Sequence, residues 1–207
     1  LTPPRIAILI SGRGSNMEAI IRASQDGILR NRCTLCGVLA NRPDAVGLRR
    51  ADKLGIPTRM VASRGLSTMS YGRHLLEALS HWAPDFVVLA GFMRILSTEV
   101  VAAYRGRIVN IHPADTALYQ GADGYGWAAN NALTQTTISV HLIDEGIDTG
   151  PILKQAPVSL VGTTTKAEMA QRGLQVEHAL YSQCLANLFD GQYASIIAGI
   201  LNQERGE

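Results

Sequence analysis

Asn110 and His112 stand two residues apart at the end of a short apolar run, Arg107-Ile108-Val109-Asn110-Ile111-His112, which Pro113 terminates before a polar, glycine-containing loop. Strand alternation puts both side chains on one face. A carboxamide can donate hydrogen bonds and an imidazole can carry a proton. The pair therefore suits a reaction in which an oxygen gains negative charge while a proton moves. A third group comes from the acidic turn Asp144-Glu145-Gly146-Ile147-Asp148-Thr149-Gly150-Pro151, where Asp148 reaches His112 if the two preceding strands are neighbours. In that arrangement Asn110 donates to the charged oxygen, His112 handles the proton, and Asp148 holds the imidazole or relays protons through water. Such a set fits attack of an amine on an acyl or formyl carbon. No serine or cysteine nucleophile accompanies it, which favours direct transfer over a covalent intermediate. Taken alone, an edge-of-strand Asn, a hydrogen-bonded His and a turn Asp explain the same residues more simply.

Two further stretches bear on chemistry. Ser11-Gly12-Arg13-Gly14-Ser15-Asn16 joins an apolar strand, Arg5 to Ile10, to a helical pattern with Met17, Ile20, Ile21 and Ala23. Strand, glycine-rich turn and helix aim backbone N–H groups at an anion. The stretch lacks the Lys-Ser/Thr pair of a Walker motif and the third glycine of a dinucleotide fingerprint. A phosphate cradle and a plain tight turn are evenly matched here. Gly91-Phe92-Met93-Arg94-Ile95-Leu96 is an apolar loop after a buried strand, suited to wall a flat aromatic ligand or simply to cover a core.

The elements that must position these residues follow from pattern. Strands are expected at Arg5 to Ile10, Thr34 to Ala40, Thr58 to Ala62, Asp85 to Ala90, Arg107 to His112, Thr136 to Ile143 and Ile152 to Val158. Helices are expected after Asn16, over Ala45 to Leu54, Tyr71 to Trp82, Ser97 to Tyr104, Gly124 to Leu133, and Thr163 to Asp190 with Thr164 or Thr165 as cap. Ser63 to Ser70 reads as a polar loop, and His74 and His81 as solvated positions on the helix that follows. On the Thr136 strand, Ser139 and His141 share a face. Repeated strand–helix alternation makes the fold an α/β, Rossmann-like open sheet, mostly parallel and twisted, with helices on both faces. One domain is expected over 1–207, with a core of about residues 5–190 and a tail, 191–207, carrying only a short apolar run near Ile196 to Leu201.

Composition narrows the class. The chain is 46% hydrophobic and 17% charged with a net charge of +2, which fits a globular protein rather than a disordered one. Lys and Arg are scattered, so no nucleic-acid footprint is expected. No apolar run approaches the ~20 residues of a membrane span, and the residues before Ile6 do not resemble a signal peptide. A cytoplasmic location is the expectation. Cys33-Thr34-Leu35-Cys36 has the spacing of half a zinc site, but no second pair follows, so these cysteines read as strand residues and no metal is expected.

In order along the chain, Ile10 to Asn16, Val88 to Leu96, Asn110-Ile111-His112-Pro113, Ser139-Val140-His141, Asp144 to Pro151 and Glu177-His178 with Tyr181 together resemble the folate-dependent formyltransferases over roughly Arg5 to Phe189. The resemblance implies a formyltransferase fold. It also implies transfer of a formyl group from 10-formyltetrahydrofolate, as cosubstrate, to the amine of glycinamide ribonucleotide in de novo purine biosynthesis. Asn110, His112 and Asp148 match the family's catalytic trio. Gly14, Ser15 and Asn16 match its substrate-phosphate loop, and Glu177 its ribose-binding residue. Met93, Arg94, Ile95 and Leu96 match the folate-pocket wall, which the loop from Asp144 to Asp148 completes. Small-molecule substrates, no metal, and a monomer or homodimer are implied.

The chain also departs from the pattern. After His112-Pro113 the family usually continues Ser-Leu-Leu-Pro, where this sequence has Ala114-Asp115-Thr116-Ala117. Asp123 and Tyr125 stand where His is common, and Thr68 where an Arg is usual. The trio is intact while the loop that closes over substrate differs. Two other readings are formyl transfer to a different phosphorylated or sugar-linked amine, and a non-catalytic folate- or nucleotide-binding paralog.

Overall fold

The computed structural model describes residues 2–202; Leu1 and residues 203–207 of the expected tail lie outside the described residues. The elements run β1 (Arg5–Ile10), α1 (Ser15–Asp26), β2 (Thr34–Ala40), α2 (Val46–Lys53), β3 (Thr58–Met60), α3 (Thr68–Ser80), β4 (Phe86–Leu89), α4 (Thr98–Ala103), β5 (Ile108–His112), α5 (Gly124–Asn130), β6 (Gln135–Leu142), β7 (Ile152–Ser159), α6 (Lys166–Phe189) and α7 (Ala194–Asn202). The strands form one sheet in the order β3-β2-β1-β4-β5-β6-β7. β3 through β5 are mutually parallel, whereas β6 is antiparallel to β5 and β7 to β6.

Alternation on β1 builds two cores. Ile6, Ile8 and Ile10 pack on one face with Met17, Ile20 and Ile21 of α1 and Tyr181, Cys184 and Leu185 of α6. Ala7 and Leu9 face the other way, onto Tyr71, Leu75 and Leu79 of α3. The central strands are continuous apolar runs because both faces are covered. The chain moves outward from β1 to β3, then crosses back to place β4 on the other side of β1. That reversal opens a crevice at the carboxyl ends of β1 and β4, where open α/β sheets bind ligands. β6 runs antiparallel from the carboxyl end of β5 towards its start, and the loop of residues 143–151 folds from there over Asn110 and His112 before β7 begins.

Several boundaries differ from expectation for identifiable reasons. α3 starts at Thr68, not in the region of Tyr71, because Ser67 caps it by accepting from the Ser70 N–H at 3.1 Å. Thr68 thus opens a helix rather than lying in the preceding loop. β3 stops at Met60, two residues early. The residues after Gly191 form α7, whose Ile196, Ile197 and Ile200 pack against the α1/α6 core. Their spacing is helical, but no capping residue announced the start.

Thr165 caps α6 through a reciprocal box with Glu168: each side chain bonds the other's backbone N–H. Thr165→Ala is expected to cost about 1 kcal/mol of stability. Denaturant midpoints at constant m-value check it.

Candidate active site

β5 delivers Asn110 and His112 to the crevice on one face, and the antiparallel register sets His141 of β6 directly opposite Asn110 and Ser139 opposite His112. The loop after β6 then carries Asp148 over the same spot. Asp148 adopts a left-handed backbone (φ 52°), which Asp and Asn tolerate better than most residues. Its Oδ1 lies 3.4 Å from His141 Nε2 and 3.3 Å from Asn110 Nδ2, and its Oδ2 lies 3.5 Å from His112 Nδ1. The Gly121 N–H donates to Oδ2 at 2.8 Å, fastening the loop that follows Pro113 to the carboxylate.

Partner carbonyls fix the tautomers. His112 Nε2 lies 3.0 Å from the Tyr119 carbonyl, so that nitrogen carries the proton and Nδ1 faces Asp148. His141 Nδ1 lies 2.9 Å from the Leu142 carbonyl and so carries a proton, while its Nε2 lies between Asn110 Nδ2 at 3.2 Å and Asp148 Oδ1 at 3.4 Å. Burial pushes His112 below the ordinary imidazole value, with the Asp148 charge opposing it. Burial works to raise the Asp148 carboxyl, but His141, the Gly121 N–H and His112 outweigh it and hold it below the usual range. At neutral pH the centre is therefore a carboxylate facing an unprotonated imidazole nitrogen. It is ready to accept a proton.

The unusual loop has a structural account. Ala114 is fully buried and its carbonyl accepts from Ser139 Oγ at 2.9 Å. The Asp115 side chain accepts from the Ala117 N–H at 3.0 Å, an Asx-type turn that leads the chain back towards His112. Tyr119 then stacks between the His112 ring (centroids 6.1 Å apart) and Trp127 of α5 (5.1 Å). Asp123 caps α5 from a left-handed backbone and pairs with Lys166 at 2.6 Å.

A cleft of about 380 Å³ runs from this centre between the loops after β4 and β6. Phe92, Met93, Arg94, Ile95 and Leu96 form one wall and Ile143 to Asp148 the other. Met93 and Ile95 are 68% and 62% exposed, an apolar surface facing solvent. That size lies in the range of about 300–1,000 Å³ typical of organic-ligand sites, and apolar walls around a few polar groups suit a flat heteroaromatic donor. Arg94 lines the same wall and braces it from behind: its guanidinium donates to the Leu66 carbonyl at 2.6 Å and covers the Tyr71 ring. The Asp144 carboxylate accepts from Thr149 Oγ1 (2.6 Å) and the Gly146 N–H (3.0 Å), shaping the loop from within.

The glycine-rich turn sits beside this cleft, since Ser11 Oγ accepts from the Met93 N–H at 2.7 Å. Gly14 precedes α1 in a left-handed conformation (φ 72°) and makes no side-chain cap. The first-turn N–H groups of α1, at Ser15 and Asn16, are thus presented at a helix N-terminus. Glu18 would oppose an anion there, but Arg22 (2.9 Å) and Arg50 (3.2 Å) pair with it. Asn16 reaches across to Glu177 of α6, Nδ2 to Oε2 at 2.7 Å. Among the described residues no group of three or more His, Cys, Asp and Glu side chains is arranged to hold a metal ion. Nor is any single helix there long and apolar enough to cross a membrane.

Residues 4–185 match the family model described as Formyl transferase. The chain belongs to the formyl transferase family. It is 38% identical over 188 residues to the phosphoribosylglycinamide formyltransferase of Escherichia coli (strain K12), an alignment covering 90% of this chain and 88% of the relative. It is 36% identical over 188 residues to the trifunctional purine biosynthetic protein adenosine-3 of Drosophila melanogaster, covering 90% of this chain but 14% of that longer protein. Among solved structures, glycinamide ribonucleotide transformylase 1 from Symbiobacterium toebii superposes with a TM-score of 0.86 at 30% identity, covering 92% of this chain and 89% of the other. The phosphoribosylglycinamide formyltransferase from Brucella melitensis does so at 0.82 and 37% identity, covering 90% and 96%. The α/β fold of this family member, with its seven-stranded, mostly parallel sheet, agrees with the architecture expected from strand–helix alternation. Strand alternation alone gives His141 no role; its place on the Ser139 face is the available signal, and the β5–β6 pairing turns that face towards Asp148.

Proposed function

We propose that this protein transfers the formyl group of 10-formyltetrahydrofolate to the amine of glycinamide ribonucleotide, a step of de novo purine synthesis. The observation that carries the reading is one carboxylate, Asp148, bracketed by Asn110, His112 and His141 at the end of an apolar cleft. The cleft wall, Met93, Ile95 and Leu96, takes the donor's ring system, with Arg94 and Asp144 holding the two loops in shape. The N-terminus of α1 at Gly14, Ser15 and Asn16 takes the acceptor's phosphate, and Glu177 takes its sugar.

The acceptor nitrogen forms a bond to the formyl carbon, whose oxygen becomes negatively charged, and then sheds a proton. Asp148 and His112 Nδ1 receive that proton, because burial holds the imidazole neutral and the carboxylate beside it is ionised. Neutralising the carboxylate also weakens its hold on the Asn110 N–H, already long at 3.3 Å. That N–H turns to the new oxyanion. Collapse breaks the bond to the folate nitrogen, which takes the proton back from the Asp148/His112 pair. The products are a formamide and tetrahydrofolate, with no net proton change.

Purified protein supplied with both substrates should release tetrahydrofolate with a kcat on the order of 10 s⁻¹. A folded preparation with no acceptor-dependent release would reject the proposal.

A further inference from the structure

Tyr125, in the first turn of α5, has no part in the chemistry above, yet the structure builds a place for it. The residue is buried, and its hydroxyl donates to Glu177 Oε1 at 2.6 Å while Asn16 Nδ2 donates to Oε2 at 2.7 Å. The phenol reaches the carboxylate through a notch in α6. A Cβ on Gly173 would stand 1.8 Å from the Tyr125 hydroxyl oxygen, and Gly173 lies one helical turn before Glu177. Helix α6 thus gives up a side chain at one position so that a ring from α5 can touch the next position on the same face.

Three elements, α1, α5 and α6, consequently converge on one carboxylate that is 5% exposed. An ionised carboxylate has about four acceptor positions, two on each oxygen. Tyr125 and Asn16 take one on each, which fixes the plane of the group and leaves one lone pair per oxygen. A second sign of an unfinished site lies alongside: Asn16 Oδ1 is buried with no hydrogen-bond partner. Adjacent acceptors of this kind match adjacent hydroxyl donors, the chemistry of a vicinal diol on a sugar ring.

We infer that Tyr125, seated in the Gly173 notch, is a positioning residue that orients the Glu177 carboxylate to receive the vicinal hydroxyls of the acceptor's sugar. The inference rests on the formyl-transfer reading and deepens it. It assigns to α5 a task in acceptor recognition, separate from the proton chemistry at Asp148. It also gives a function to one departure from the family pattern, the tyrosine where a histidine is common.

Tyr125→Phe keeps the ring in its notch and removes only the hydroxyl. Loss of one charge-assisted hydrogen bond to the carboxylate should raise the acceptor KM about tenfold. The KM for the formyl donor and the kcat should stay within about twofold. The same variant is then assayed with an acceptor analogue whose two sugar hydroxyls are replaced by hydrogen. On that analogue wild type and variant should have equal KM, because the oriented lone pairs have nothing to receive. An unchanged KM for the natural acceptor overturns the inference. So does an equal rise on both acceptors, which would mark a general loosening of the site. Absence of wild-type turnover in the same series rejects the formyl-transfer reading, and this inference with it.

Discussion

Asp148→Asn is expected to lower kcat by about 10³-fold, within the span ascribed to a positioned proton acceptor, while the protein stays folded. Asparagine is the informative replacement. It tolerates the left-handed backbone at this position and can still accept from the Gly121 N–H through its amide oxygen. What it cannot do is take a proton between itself and His112. Single-turnover formyl transfer measured beside a melting curve separates the two quantities. Wild-type rates in a folded variant would remove Asp148 from the chemistry.

The same substitution predicts a shift in pH dependence. His112 is held below its ordinary value of 6.5, first by burial, with the Asp148 charge raising it in opposition. Only the neutral ring accepts a proton, so wild-type kcat should fall as pH drops through that depressed value, on the acid side of 6.5. Replacing Asp148 by a neutral amide removes the largest influence that opposes burial, leaving only the Tyr119 carbonyl and the Glu177 charge against it. The limb assigned to His112 should therefore move further towards acid in the residual activity of Asp148→Asn. A limb that moves upward would contradict the electrostatics described for the pair.

His112→Asn is the second large effect expected, a loss of about 10²–10³-fold in kcat. Its more telling property concerns combination. The His112 and Asp148 side chains lie 3.5 Å apart and in the proposed mechanism receive one proton between them, so removing either should disable the site almost as fully as removing both. The double variant should be no more than a few-fold slower than the slower single variant, as expected for groups that act as a unit. A four-member cycle of single-turnover rates measures this directly. Additive losses would mean that the two residues contribute separately.

Much of this arrangement is legible in local pattern, because local pattern is what decides it. The apolar runs at Ile6–Ile10 and Val87–Leu89 could only be covered strands, and period-two alternation suffices to put Asn110 and His112 on one face. The α1 turn is legible because Gly14 is needed where φ is positive. Other features are decided by contacts between distant segments. Asn16 and Glu177 are 161 residues apart and meet only because α1 packs on α6. His141 joins the centre through the antiparallel register of β5 and β6, which no window on either strand contains. The direction of the Asn110 amide is likewise set by His141 and Asp148. Strand alternation yields the face on which Asn110 lies but not the partner its N–H groups choose. The departures at Ala114 to Ala117 became intelligible only with Ser139 and the Asp115 turn in view.

The pairing of β5 with β6 carries a consequence for how this lineage can change length. The proposed centre has Asn110, His112 and His141 on one side of a two-stranded ribbon, with Ser139 beside them. Inserting or deleting a single residue inside β6 beyond His141 leaves that side intact. The same event between Thr136 and Ser139, without a compensating bulge, rotates one of the two strand segments by half a period and swaps Ile138 or Val140 into the site. Length variation in descendants of this sequence should therefore gather in the turn between α5 and β6, around Asn131 to Thr134. There, added residues leave the ribbon's parity untouched.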